Sequence, residues 1–84
     1  MKKVIMFSAS WCQPCKLTKP IFNALKEEIK DVSMEVVDVN EQEALAHEYD
    51  IRAVPTFVLF NGEEEVARMS GGASAEKLKA FINQ

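Results

Sequence analysis

Glycine and proline are scarce in this chain, with three of each in 84 residues. That scarcity excludes a disordered or low-complexity protein. Histidine occurs once and cysteine twice, too few to fill the four positions of an ordinary zinc site. Ten basic residues against 13 acidic ones leave a net charge of −3, and no basic patch with interleaved aromatics exists. Nucleic acid is therefore not an expected partner. The apolar run behind Met1-Lys2-Lys3 extends only from Val4 to Phe7. That is too short for a signal peptide or a membrane span. No membrane partner is expected, and the expected setting is the cytoplasm, a reducing compartment where two cysteines are more often catalytic than structural. Internal repeats and linkers are missing too. What is present is a hydrophobic fraction of 48%, enough for one core, so residues 1–84 read as a single domain. A monomer is the expected state.

Both cysteines lie in the stretch Ser10-Trp11-Cys12-Gln13-Pro14-Cys15-Lys16. An apolar run precedes it and a long helical pattern follows it. C-x-x-C at a strand-to-helix junction reads as a redox motif, because the spacing brings two thiols close enough to bond. A free cysteine has a pKa of roughly 8.5, so little of it is ionised at neutral pH. A helix N-terminus offers unpaired N–H groups and partial positive charge, which favour a thiolate. Cys12 falls at the N-cap or just before it. Cys15 comes about one turn later and is more buried. Pro14 suits a first turn that needs no N–H donor. Cys12 is thus the expected nucleophile and Cys15 the expected resolving thiol. A static disulfide, or two ligands of a zinc site, is the weaker alternative, and no metal or other cofactor is expected. Trp11, beside the nucleophile, reads as a partly exposed contact surface rather than a core aromatic. Lys16 reads as an ordinary solvated lysine.

The rest of the chain reads as scaffold. Lys3 to Phe7 predicts a first strand, central because its apolar residues are consecutive. Cys12 to Lys30 predicts a helix with Leu17, Ile21, Leu25 and Ile29 on one face, flanked by Phe22. Pro20 is expected to kink it. Ser33 to Val39 predicts the second strand, parallel to the first. Asn40 is expected to cap a short helix from Glu41 to Tyr49, with Glu43 completing a capping box. His47, on that helix, reads as a surface or half-buried residue and not as a base or ligand. Thr56 to Phe60 predicts a third strand behind Pro55. Asn61-Gly62 is a hairpin signal, which makes Glu64 to Met69 a fourth strand antiparallel to the third. Ser74 is expected to cap a last helix whose apolar face is Ala75, Leu78, Phe81 and Ile82.

The sequence resembles the thioredoxin family at Trp11-Cys12-Gln13-Pro14-Cys15-Lys16, at Pro20, at Ile51-Arg52-Ala53-Val54-Pro55-Thr56, and at Asn61-Gly62-Glu63 and Gly71. The likeness runs in register through nearly the whole chain. It implies an α/β fold of three layers around a minimal mixed sheet in the order 2-1-3-4, with three helices. Strands 1 and 2 would be parallel, and strands 3 and 4 antiparallel. The first and last helices would cover one face and the second helix part of the other. The resemblance also implies a cis peptide before Pro55, with Pro55 packed against the cysteines and the Val54 backbone left free to pair with substrate. Trp11, Gln13, Pro14, Ala53, Val54, Pro55 and Gly71 would form the docking surface.

Four departures from the family pattern stand out. The strand and helix that open full-length members have no counterpart ahead of Lys3, which is also the glutaredoxin architecture. The usual Gly-Pro between the cysteines is Gln13-Pro14 here. The buried aspartate six residues before the first cysteine is Met6, and the lysine that accompanies it is Val36. Cys15 is left without an obvious protein base.

The function expected from the resemblance is reduction of disulfides in partner proteins, with a separate reductase or glutathione restoring the dithiol. A glutaredoxin-like, glutathione-dependent oxidoreductase is the alternative. The short length, Val54-Pro55 and Gly71-Gly72 permit it. Trp11, Gln13-Pro14 and the lack of an acidic residue at Ala73 or Ser74 speak against it. A non-catalytic binding module is a third reading, weakened by the intact cysteine pair.

Overall fold

Seven elements follow one another in the computed structural model, which describes residues 1–84. They are β1 (Lys2–Ser8), α1 (Gln13–Glu28), β2 (Val32–Asp38), α2 (Glu43–Glu48), β3 (Thr56–Asn61), β4 (Glu64–Ser70) and α3 (Ala75–Ile82). The strands form one sheet in the order β2-β1-β3-β4. β1 runs parallel to β2 and antiparallel to β3, and β3 and β4 are antiparallel. The order and strand directions are those that the resemblance implies.

β1 is central, so its run of consecutive apolar residues is buried on both faces. Val4 and Met6 join Phe57 and Leu59 under Phe22 and Leu25 of α1 and Leu78, Phe81 and Ile82 of α3. Ile5 and Phe7 lie on the opposite face with Val37, Val58 and Phe60, covered by Leu45, Tyr49 and Ile51. The Tyr49 ring packs 6.0 Å from Phe7 and 5.3 Å from Phe60.

The buried stripe of α1 differs from the expected one. It is Cys15, Thr18, Phe22 and Leu25, while Leu17 is 67% exposed. The i, i+3, i+7, i+10 spacing starts from Cys15, because the cysteine pair, not Leu17, is turned toward the sheet. The helix runs through Pro20, which is exposed.

The expected cap of α2 is also corrected. The N-cap is Gln42, with no side-chain hydrogen bond, and the helix starts at Glu43. Asp38 makes the turn instead: its Oδ1 accepts from the backbone N–H of Asn40 at 2.8 Å and of Glu41 at 3.2 Å. A helix start at Glu41 is thereby displaced. Ser74 does cap α3, accepting from Lys77 N at 3.2 Å. The hairpin turns at Gly62-Glu63, one residue beyond the Asn-Gly signal; Gly62 supplies the positive φ of 65°.

β4 is an edge strand. Leu59 faces Ala67 and Phe60 faces Glu65, so Val66 bulges out of the ladder. Arg68 grips the Glu65 carboxylate through Nε and Nη2 at 2.7 and 2.8 Å. Its Nη2 also donates to the Tyr49 carbonyl at 3.0 Å, tying β4 to the end of α2. Hydrogen bonding from Arg68 holds the Glu65 carboxyl below the usual carboxylate range.

Candidate active site

Cys12 is the N-cap of α1, with extended backbone at φ −91° and ψ 113°. β1 ends at Ser8, and the Cys12 N–H donates to the Ala9 carbonyl at 3.2 Å, which turns the chain into the helix. Pro14 occupies the first turn, where its missing N–H costs nothing. Cys12 and Cys15 are bonded to each other, with Cα atoms 5.3 Å apart. The Cys12 sulfur accepts from the Cys15 N–H at 3.2 Å. A backbone donor of the first turn thus points at the sulfur that would carry charge once the disulfide is reduced. In this oxidised state both cysteines are buried, Cys12 at 4% exposure and Cys15 at 1%. The difference has the expected sign but is small. No group of three or more His, Cys, Asp or Glu side chains stands close enough to hold a metal.

The loop before β3 closes over the pair. The Val54–Pro55 bond is cis, and Pro55 is fully buried. The Val54 carbonyl oxygen lies 3.6 Å from the Cys12 sulfur. A disulfide sulfur has no proton to donate, so this contact becomes a hydrogen bond only in the thiol. Neither the Val54 N–H nor its carbonyl is taken by another backbone group. Thr56 fixes the loop: its Oγ1 donates to the Ala53 carbonyl at 2.7 Å and pairs with Ser70 Oγ at 3.0 Å. The Gly71 N–H donates to the Pro55 carbonyl at 2.9 Å. Gly71 needs its positive φ of 97° to make that approach.

Trp11 is 68% exposed, yet it is not free. Its Nε1 donates to Asn40 Oδ1 at 3.0 Å. Between this ring and the 51–54 loop lies an open groove of about 190 Å³, lined by Trp11, Val39, Ile51, Arg52, Ala53 and Val54. Gln13 and Pro14 are exposed on the helix start, outside this groove. Pro55 and Gly71 do not line it either.

The family model described as Thioredoxin matches residues 1–84. Among curated proteins, the chain is 43% identical to thioredoxin of Oryctolagus cuniculus over 81 residues, covering 96% of this chain and 76% of the rabbit protein. The chain belongs to the thioredoxin family. The solved structure of Fasciola hepatica thioredoxin superimposes with a TM-score of 0.92 at 40% identity, over 98% of this chain and 78% of that one. A structure titled for the thiol resolving mechanism of a yeast mitochondrial 1-Cys peroxiredoxin via glutathione/thioredoxin systems superimposes with a TM-score of 0.90 at 33% identity. It covers 98% of this chain and 76% of that one. Thioredoxins are oxidoreductases that act by dithiol exchange, and the Cys12–Cys15 pair has that chemistry.

Two of the departures from the thioredoxin pattern meet in the cluster that holds the pair. Met6 is fully buried in the same apolar cluster as Cys12 and Cys15, and Val36 packs against that cluster. Met6 and Val36 are direct neighbours in the β1–β2 register. The two positions that would carry an acid and a base therefore carry an apolar pair. Sequence reasoning missed four features of the site. Asn40 was readable only as a cap, and nothing local marks it as the acceptor for Trp11. Val39 and Arg52 were readable as strand end and loop rather than groove wall. Gly72 allows close passage over α1: a Cβ there would meet Thr18 Oγ1 at 3.3 Å. Ser8, one residue beyond the expected strand Lys3 to Phe7, is instead the last residue of β1 and is buried.

Proposed function

We propose that this thioredoxin-family chain reduces disulfides in partner proteins with Cys12 as the attacking thiol and Cys15 as the resolving one. The Cys12 thiolate attacks one sulfur of a partner disulfide, and the other sulfur leaves as a thiolate. Cys15 then gives up its proton and attacks Cys12. The Cys12–partner bond breaks, the partner leaves reduced, and the internal disulfide forms. The observation that carries this assignment is the hydrogen bond from the Cys15 N–H to the Cys12 sulfur: the donor serves Cys12 and has no counterpart at Cys15. The free Val54 backbone beside that sulfur supports docking of an extended segment, with Trp11, Ala53 and Val54 forming one side of the bed, Gln13, Pro14 and Gly71 its surround, and the buried Pro55 its support from within.

Return to the dithiol needs an external reductant, since forming the internal disulfide has passed two electrons to the partner. A separate thioredoxin reductase fits this reading better than glutathione, because Trp11 and Gln13-Pro14 speak against a glutaredoxin-like site. A monomer in the cytoplasm, where such reductants are supplied, completes the reading. The test is turnover of a protein disulfide with NADPH and thioredoxin reductase, against glutathione and glutathione reductase. Faster turnover with the former is expected. Turnover with glutathione alone would favour the glutaredoxin-like alternative, and turnover with neither would reject the reductase reading.

A further inference from the structure

The groove beside Cys12 carries a single charge. Five of its six lining residues, Trp11, Val39, Ile51, Ala53 and Val54, are apolar, and the sixth is Arg52. Its volume of about 190 Å³ exceeds the roughly 150 Å³ of an engineered cavity that accepts a benzene ring. One long side chain therefore has room in it. Trp11 is held by the neutral Asn40 side chain, which adds no charge to the opposite wall.

The end of α2 places Arg52. The Asp50 N–H donates to the His47 carbonyl at 3.0 Å, and the Ile51 N–H donates to the Ala46 carbonyl at 2.9 Å. With Tyr49 as C-cap, this pair of bonds is a Schellman ending, which calls for a left-handed residue at position 50. Glycine is usual there, but Asp50 takes the position at φ 54°, the one non-glycine residue with positive φ. Aspartate and asparagine tolerate that conformation best among the rest, and aspartate alone of the two brings a charge. Its Oδ1 accepts from Arg52 Nε at 3.1 Å. Both Nη groups of Arg52 are left without a partner in the chain. The guanidinium is thus anchored at one nitrogen, with its two-pronged end free for a carboxylate.

We propose that Arg52 selects partner segments that carry a glutamate within two residues of the reacting cysteine. This rests on the dithiol mechanism proposed above. The partner sulfur must meet the Cys12 sulfur, which lies 3.6 Å from the Val54 carbonyl oxygen, and Val54 is also a wall of the groove. Two residues of extended chain span about 7 Å, enough to carry a neighbouring side chain past Val54 into the groove. The glutamate methylenes lie against Trp11, Val39 and Ile51, and the carboxylate meets the free Nη pair. Lysine at the same place would face a like charge, and leucine would leave the guanidinium unpaired. The net charge of −3 opposes acidic partners only at long range. Screening over about 8 Å at physiological salt leaves the decision to the local cation.

The test compares peptides on the full, reduced chain. Each peptide has one cysteine, disulfide-bonded to 2-nitro-5-thiobenzoate, and release of the coloured thiolate is followed by stopped flow. Glu, Gln, Lys or Leu is placed in turn at each of the two positions before and the two after the cysteine. At one or more of these positions Glu should react roughly three- to fivefold faster than Gln at low ionic strength, the upper end for an exposed charge pair, and Lys more slowly than Gln. Sodium chloride at about 1 M should erase the difference. Arg52→Gln should bring the Glu-to-Gln ratio to one. Arg52→Lys, which keeps the charge and loses the fork, should retain only part of it. Equal rates for Glu and Gln at all four positions would overturn the proposal, and so would a Glu advantage that survives Arg52→Gln. Release from every peptide no faster than with Cys12→Ser protein would instead overturn the dithiol mechanism itself, and this proposal with it.

Discussion

Trp11 and Asn40, 29 positions apart in sequence, are joined by a 3.0 Å hydrogen bond from the indole N–H to the amide oxygen. The bond holds an exposed ring at the mouth of the groove beside Cys12. Asn40 is a neutral acceptor, so the tether does not titrate. Asn40→Ala should free the ring at a stability cost of at most about 1 kcal/mol, since the bond is exposed. KM for a protein disulfide should rise roughly two- to fivefold with little change in kcat, and Trp11 fluorescence should report a more mobile ring. An unchanged KM and emission spectrum would mean that the tether does not shape docking.

The two thiols should differ in reactivity. Iodoacetamide at about pH 7 should label Cys12 of the reduced protein first, because a first-turn N–H faces its sulfur. Cys12→Ser should abolish reduction of a protein disulfide, and Cys15→Ser should stop the reaction at a mixed disulfide. Peptide mapping that finds Cys15 labelled first would reverse the assignment.

Met6→Asp should destabilise the reduced protein by about 2–3 kcal/mol, the usual cost of burying a polar group without a partner. Met6 is fully buried between Val36 and Phe57 in the sheet register, and neither offers a hydrogen bond. Desolvation would push the new carboxyl above the ordinary range, so the folded state would hold its proton to higher pH than the unfolded chain does. The penalty should therefore grow as pH rises through that window. Urea midpoints at about pH 5 and pH 8 check this, and equal midpoints for mutant and wild type at both would place residue 6 elsewhere.

The Glu65–Arg68 pair should give a small acid-side slope. Hydrogen bonding from Arg68 lowers the Glu65 carboxyl. A depressed carboxyl contributes stability that is present above its unfolded value, near about 4.3, and is lost as pH falls through the folded value. Both side chains are about one-third exposed, so the contribution is at most about 1 kcal/mol. Glu65→Gln should lower the melting temperature slightly at pH 7 and leave it unchanged near pH 2. A mutant less stable than wild type by the same margin at both pH values would show that the side chain acts through packing instead.

Much of this architecture was legible in the sequence. Apolar runs, the period-four face of the first helix, the hairpin signal and the expected caps together located all seven elements, and Cys12-Gln13-Pro14-Cys15 marked the helix start. What was not legible depends on contacts between segments far apart in the chain. Asn40 has the sequence context of a helix cap, but Asp38 takes the turn and Trp11 takes the Asn40 side chain. Leu17 has the right spacing for a core residue, but the disulfide sets the rotation of α1 and leaves Leu17 in water. Ser8 reads as a loop residue because serine ends the apolar run. Only the pairing of β1 with β2 as far as Asp38 carries it inside.

The bulge at Val66 has a bearing on aggregation. The chain's most β-prone run, Thr56 to Phe60, is walled in between β1 and β4 and never meets solvent as an open edge. The strand outside it would be the natural template for a neighbouring molecule. There the ladder breaks at Val66, and Glu64, Glu65 and Arg68 flank the break. An incoming strand would find donors and acceptors out of step and charges in its path. Concentrated folded protein should therefore not grow by adding strands at β4, although the same five-residue run, released by unfolding, would be the first to seed fibres.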